Sequence, residues 1–105
     1  MNEEDLIIAR DLKRRLSEIV TLLEFSVFGS RARGDAREGS DMDIFVEVQT
    51  LDKPLKERMQ DIAWKVSFDN SLVISLLIFT RDELENSPLR SSPIVKAIER
   101  EGLRI

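Results

Sequence analysis

Asp41 and Asp43 stand one residue apart at the start of an alternating run, DMDIFVEV, ten residues after the pair Gly29-Ser30. Alternate residues of a strand point to the same side, so the two carboxylates share a face, roughly 7 Å apart. Two anions this close repel unless one is protonated or a cation bridges them. The chain contains no histidine and no cysteine. The bridging ion must therefore be held by oxygen, which favours magnesium, calcium or manganese. A glycine after a strand lets the backbone approach a phosphate closely. Amides at the start of the following helical turn can hold the anion. Ser30 adds a hydroxyl, and Arg31 and Arg33 add positive charge. A phosphate cradle beside metal-holding aspartates is the equipment of phosphoryl or nucleotidyl transfer. Taken singly, a Gly-Ser pair is commonly a turn and an Asp-x-Asp a solvated strand edge. Arg31, Arg33 and Arg37 alone would read as a solvated basic patch. The chemistry rests on their combination.

These residues need elements to position them. Leu6, Ala9, Leu12, Leu16, Ile19 and Val20 recur at helical spacing and predict a helix over 3–20. Glu3, Glu4 and Asp5 suit its positive N-terminal end. Residues 22–28, LLEFSVF, read as a short buried strand that Gly29 stops, and 30–33 as a turn of helix ended by Gly34. A polar loop covers 35–40. Residues 41–48 alternate: Met42, Ile44, Val46 and Val48 share one face, and Asp41, Asp43, Phe45 and Glu47 the other. Glu47 lies about 13 Å beyond Asp43 on that face and reads as solvated. A second long helix is expected over 54–68, with Pro54 near its start. Trp64 lies off its apolar stripe, either packing in the core or at its rim, or touching a partner. Residues 72–79, LVISLLIF, read as a central strand covered on both sides. A short helix follows Thr80 over 81–86. A last helix spans 92–101, with Ser92 as cap, Pro93 first and Gly102 as stop. Leu103 and Ile105 then cover the sheet edge or core. The exposed basic face of Arg10, Lys13, Arg14 and Arg15 either stays solvated or docks a partner. This α-β-(α)-β-α-β-α-α order calls for an α/β domain, a small sheet with helices packed on it. Periodicity leaves open whether the strands are parallel or mixed.

Composition narrows the chemistry further. The 105 residues, 42% of them apolar, fit one compact domain, 1–105. Without histidine, imidazole acid–base catalysis and the usual zinc sites are excluded. Without cysteine there is no disulfide framework. The net charge of −4 and a pI near 4.9 argue against a general nucleic-acid binder. No stretch approaches the roughly 20 apolar residues of a membrane span, and the acidic N-terminus is unlike a signal peptide. A cytoplasmic protein is expected.

Gly29-Ser30, ten residues, Asp41-x-Asp43 and then Ile44-Phe45-Val46 closely resemble the motif of the DNA polymerase β-like nucleotidyltransferases. The run Arg31-Ala32-Arg33-Gly34-Asp35-Ala36, Ser40, and the tail from Ile94 to Ile105 resemble that family's minimal (MNT-type) members. The resemblance implies an α+β fold with a small mixed sheet. It implies nucleotide binding by Gly29, Ser30, Arg31, Arg33 and Ser40, and Mg2+ binding and catalysis by Asp41 and Asp43. ATP would be the substrate. Small members resemble one half of a toxin–antitoxin pair whose other half is a helical HEPN toxin. The implied activity is AMPylation of a tyrosine of that toxin within a hetero-oligomer, without direct contact to nucleic acid or membrane.

Active members of that superfamily usually carry a third carboxylate on the next core strand. Val73 stands at the expected place here and Ser75 next on the same face. Asp69, Asp82 and Glu83 flank the strand and read as loop or helix-cap residues. Two further readings therefore stand beside the enzyme. One is a nucleotide-binding module that neutralises its partner by complex formation alone. The other is a stand-alone enzyme acting on a small molecule, against which the absence of a second domain argues.

Overall fold

A computed structural model of the chain describes residues 1–35 and 39–105. Arg37 of the basic patch and Ala36 of the family-like run lie outside the described residues. In chain order the elements are α1 (Glu3–Ser17), β1 (Leu22–Phe28), α2 (Gly29–Arg33), β2 (Met42–Val48), α3 (Lys53–Asp69), β3 (Ile74–Thr80), α4 (Arg81–Asn86), a 3-10 turn (Pro88–Ser91), α5 (Pro93–Glu101) and β4 (Leu103–Arg104). The sheet order is β3-β2-β1-β4. β1 runs antiparallel to β2 and β4, while β2 and β3 are parallel. The sheet is thus mixed.

Caps explain where the helices begin. The Asn2 side chain accepts the Asp5 amide at 2.8 Å, and the Asp52 side chain accepts that of Leu55 at 2.8 Å. Thr80 and Glu83 form a reciprocal capping box at the start of α4. Ser92 occupies the cap position of α5, but its side chain makes no capping bond there. Helix α1 ends at Ser17 rather than running to 20. Ile19 and Val20 still pack against the core as the chain turns into β1.

One face of the sheet makes that core. Phe25 and Val27 of β1 and Met42, Ile44, Val46 and Val48 of β2 meet Ala9, Leu12 and Leu16 of α1 and Met59, Ala63 and Val66 of α3. Each fully buried large aliphatic side chain there contributes about 1.5–3 kcal/mol. Among the described residues, no helix is long and apolar enough to cross a membrane.

The opposite face carries the Asp43 side of β2, and three expectations change there. β3 is an edge strand, not a central one. Its apolar run backs onto α3, yet Val73 at its head is 58% exposed. Glu47 is not solvated. It is buried, and its carboxylate takes a hydrogen bond from Arg81 Nε at 2.9 Å. Phe45 beside it packs on Phe79, ring centroids 5.6 Å apart. The tail does close the sheet edge, but as a strand: Leu103 and Arg104 pair with Val27 and Ser26. Leu103 stays exposed, while Ile105 packs on the core.

Candidate active site

The antiparallel register of β1 and β2 sets Phe28 directly opposite Asp43. Gly29, the next residue of β1's path, therefore turns away immediately beside the Asp43 carboxylate. Two features demand glycine at that point. Its φ is +74°, and a Cβ would lie 2.5 Å from Asp43 Oδ2. Ser30 follows at the start of α2, which ends on a left-handed Gly34 whose amide donates to the Ser30 carbonyl at 3.0 Å. The two halves of the motif, ten residues apart in sequence, thus meet on one face.

Asp41 is exposed and Asp43 half-buried. The Asp43 carboxyl is pushed above its ordinary pKa, first by burial and then by the negative charge of Asp41, with Arg33 acting in the opposite direction. A further positive charge beside Asp43 would offset both causes. A divalent cation fits that need. Asp43 on β2 and Asp41 just before the strand offer hard oxygen donors, near enough for the Asp41 charge to act on Asp43. Among the described residues no three acidic, histidine or cysteine side chains converge on a metal position. Asp41 and Asp43 would then hold Mg2+ in part, leaving positions for phosphate oxygens and water.

The arginines divide. Arg31 is bonded within the protein. Its Nη1 lies 2.6 Å from Asp5 Oδ1. Its Nε and Nη2 donate to the Ser40 carbonyl at 3.0 and 2.7 Å. The Arg31 and Asp5 side chains are only 14% and 7% exposed. Arg31 thus straps the first turn of α1 to Ser40, the residue preceding Asp41. Ser40 takes part through its backbone. Arg33 stays half exposed, in weak contact at 3.3 Å with Asp35 and with Glu101. Its positive charge acts on Asp43, opposing the rise in that carboxyl's pKa. Asp5 escaped the sequence reading as a site residue. The signal was its phase: Asp5, Ala9, Leu12 and Leu16 form the buried stripe of α1.

Ser75 is the direct register partner of Asp43. Val73 lies one row outward, its carbonyl accepting the Met42 amide at 2.8 Å. Neither supplies a carboxylate. Asp69 closes α3, Asp82 accepts from Asn86, and Glu83 caps α4. Further along the same face, a cavity of about 550 Å³ runs past Ser26 and Phe45 to Glu24, Glu47 and Arg81. The basic stretch of α1 is largely consumed internally. Asp11 pairs with Arg14 and Arg15 at 2.9 and 3.1 Å, and Lys13 Nζ donates to the Ile105 carbonyl.

A glycine-serine turn thus stands beside Asp43 on a mixed sheet. The family model of the nucleotidyltransferase domain matches residues 9–104, and the chain belongs to that family. No curated protein sequence matches it. Among solved structures, it is similar to a toxin–antitoxin crystal structure with AMP-PNP. The identity is 25%, covering 99% of this chain and 72% of the other, with a TM-score of 0.62. A protein assigned as a minimal nucleotidyltransferase shares the fold at 23% identity, covering 100% of this chain and 97% of the other, with a TM-score of 0.64. So does a chain of the complex between the tri-AMPylated HEPN toxin of Shewanella oneidensis and its MNT antitoxin. There the identity is 21%, the coverage 96% and 65%, and the TM-score 0.50.

Proposed function

We propose that residues 1–105 form a single minimal nucleotidyltransferase domain, a magnesium-dependent antitoxin that transfers AMP from ATP to a tyrosine hydroxyl of a helical HEPN toxin. The observation carrying this reading is the Phe28–Asp43 pairing, which sets the Gly29-Ser30 turn against the aspartate pair. The likeness to a structure of a toxin–antitoxin with AMP-PNP supports the nucleotide and the partner.

In this reading the Gly29-Ser30 turn seats the β- and γ-phosphates, and Arg33 swings from Glu101 to the triphosphate. Asp41 and Asp43 would hold Mg2+, which when bound would supply Lewis-acid polarisation of the α-phosphate and offset charge on the leaving group. The acceptor oxygen bonds to the α-phosphorus, the bond from that phosphorus to the αβ-bridging oxygen breaks, and pyrophosphate departs. The hydroxyl proton passes to solvent, because no side chain at Val73 or Ser75 can take it. The test is the intact mass of the co-expressed toxin after incubation with magnesium and ATP. An added AMP with the wild type, and none with D41N, is the expected result.

A second reading is favoured by one observation, Ser75 and Val73 standing where a third carboxylate would help. The chain would then bind nucleotide but neutralise the toxin by contact. Inhibition surviving in both D41N and D43N, with no mass change in any sample, would select it.

A further inference from the structure

We propose that the exposed face formed by Trp64, Phe68 and Val73 docks the acceptor protein, and that what it receives is a helix with an apolar ridge and a basic rim. This rests on the transferase reading above.

Trp64 and Phe68 lie one turn apart on α3, 68% and 73% exposed. Their rings stack with centroids 5.7 Å apart and planes within 13°. The helix does not need them for its own anchorage, which comes from Met59, Ala63 and Val66 on its buried side. Val73, 58% exposed, continues the surface around the head of β3. A groove of about 530 Å³ runs between them over Leu72 and Ile74. Contiguous apolar exposure of this kind marks an interaction site, and stacked aromatics are frequent binding anchors.

Its position ties it to the chemistry. The Val73 carbonyl holds the Met42 amide, and Met42 stands between Asp41 and Asp43. A protein seated on the groove has its contact surface beginning beside the aspartate row, where an acceptor hydroxyl must arrive.

The occupant follows from what the edge has left open. Two outward groups of β3 are already taken by α3 side chains: the Ile74 amide donates to Ser67 Oγ, and the Leu76 carbonyl accepts from Gln60 Nε2, each at 3.1 Å. An added strand would have to displace them, so recognition proceeds through side chains, as for a helix laid in a groove. A second copy of this chain is disfavoured by charge. The charged side chain lining the groove is Asp61. Two such faces would oppose acid to acid, whereas a partner with lysine or arginine along its rim is complementary.

The test compares wild type, W64A/F68A and D61K for toxin binding by calorimetry, AMP transfer by intact mass, ATP binding, and oligomeric state by sedimentation. The expected result is at least a tenfold loss of toxin affinity in W64A/F68A, with transfer reduced in parallel. ATP binding and thermal midpoint should stay at the wild-type values. D61K should weaken the complex chiefly at low salt. Toxin binding and transfer unchanged in W64A/F68A would overturn the proposal while leaving the transferase reading intact. Conversion of a dimer to a monomer with toxin affinity retained would overturn it in favour of self-association. Loss of the complex in W64A/F68A when even the wild type transfers no AMP would support the docking face and remove the transferase.

Discussion

Arg31 Nη1 lies 2.6 Å from Asp5 Oδ1, joining the first turn of α1 to the short helix that follows the phosphate turn. The same guanidinium holds the Ser40 carbonyl through two N–H groups, one residue ahead of Asp41. Removing one partner of a buried pair strands the other's charge. D5A should therefore cost about 2–4 kcal/mol in urea unfolding, the lower end reflecting the carbonyl that Arg31 keeps. R31K retains charge but cannot fork onto Ser40. It should weaken Mg2+ binding more than it lowers the thermal midpoint. Wild-type stability in D5A would show that the strap holds nothing.

Asp43 links function to a stability cost. Burial, and then the charge of Asp41, raise its pKa, so the folded chain holds that proton more tightly than the unfolded one. Its contribution to stability is full below the ordinary carboxylate pKa and is lost as pH rises through the raised folded value. At neutral pH without metal, D43N should raise the midpoint by about 1–3 °C. Magnesium should then stabilise the wild type but not the variant. A midpoint that falls in D43N would contradict this electrostatic account.

Gly29 is constrained from two directions, by its φ of +74° and by the Asp43 oxygen where a Cβ would sit. G29A should cost about 1–3 kcal/mol from backbone strain alone. ATP binding should also fall, because relieving the collision moves either the turn or the carboxylate. Denaturant unfolding and nucleotide titration on one sample separate the two effects.

Arg33 is exposed and only loosely paired. R33A should leave the fold's midpoint near wild type and weaken ATP binding about tenfold, the size of one charge-assisted contact. The salt dependence of binding should become shallower. Equal ATP affinity in the two proteins would mean that the triphosphate is held without it.

The parts that sequence made legible are those governed by local rules. The stripe of α1, the alternation of β2 and the Thr80 cap follow from period and propensity, whereas the antiparallel register that sets Gly29 beside Asp43 does not. What sequence hid depends on long-range partners. Glu47 looks solvated by alternation, yet Arg81, 34 residues away, neutralises it under the sheet. The Arg31–Asp5 bond joins residues 26 apart, and no local pattern announces it. The apolar run of β3 reads as central because composition records burial against α3 but not which strand edge lacks a neighbour. β4 has two residues, too few for any periodic signal.

The two pairings around Asp43 also differ in how far apart their members lie along the chain. Phe28 and Asp43 are close in sequence and close a short loop. Asp43 and Ser75 meet only after α3 has crossed over to lay β3 parallel to β2. Short loops close faster and at lower entropic cost than long crossovers. The Gly29-Ser30 turn and the aspartate pair are therefore expected to assemble first, from local contacts, and the edge bearing Val73 later. A half-folded chain would hold its nucleotide machinery before it has a surface to offer a partner, so recognition is deferred until folding is complete.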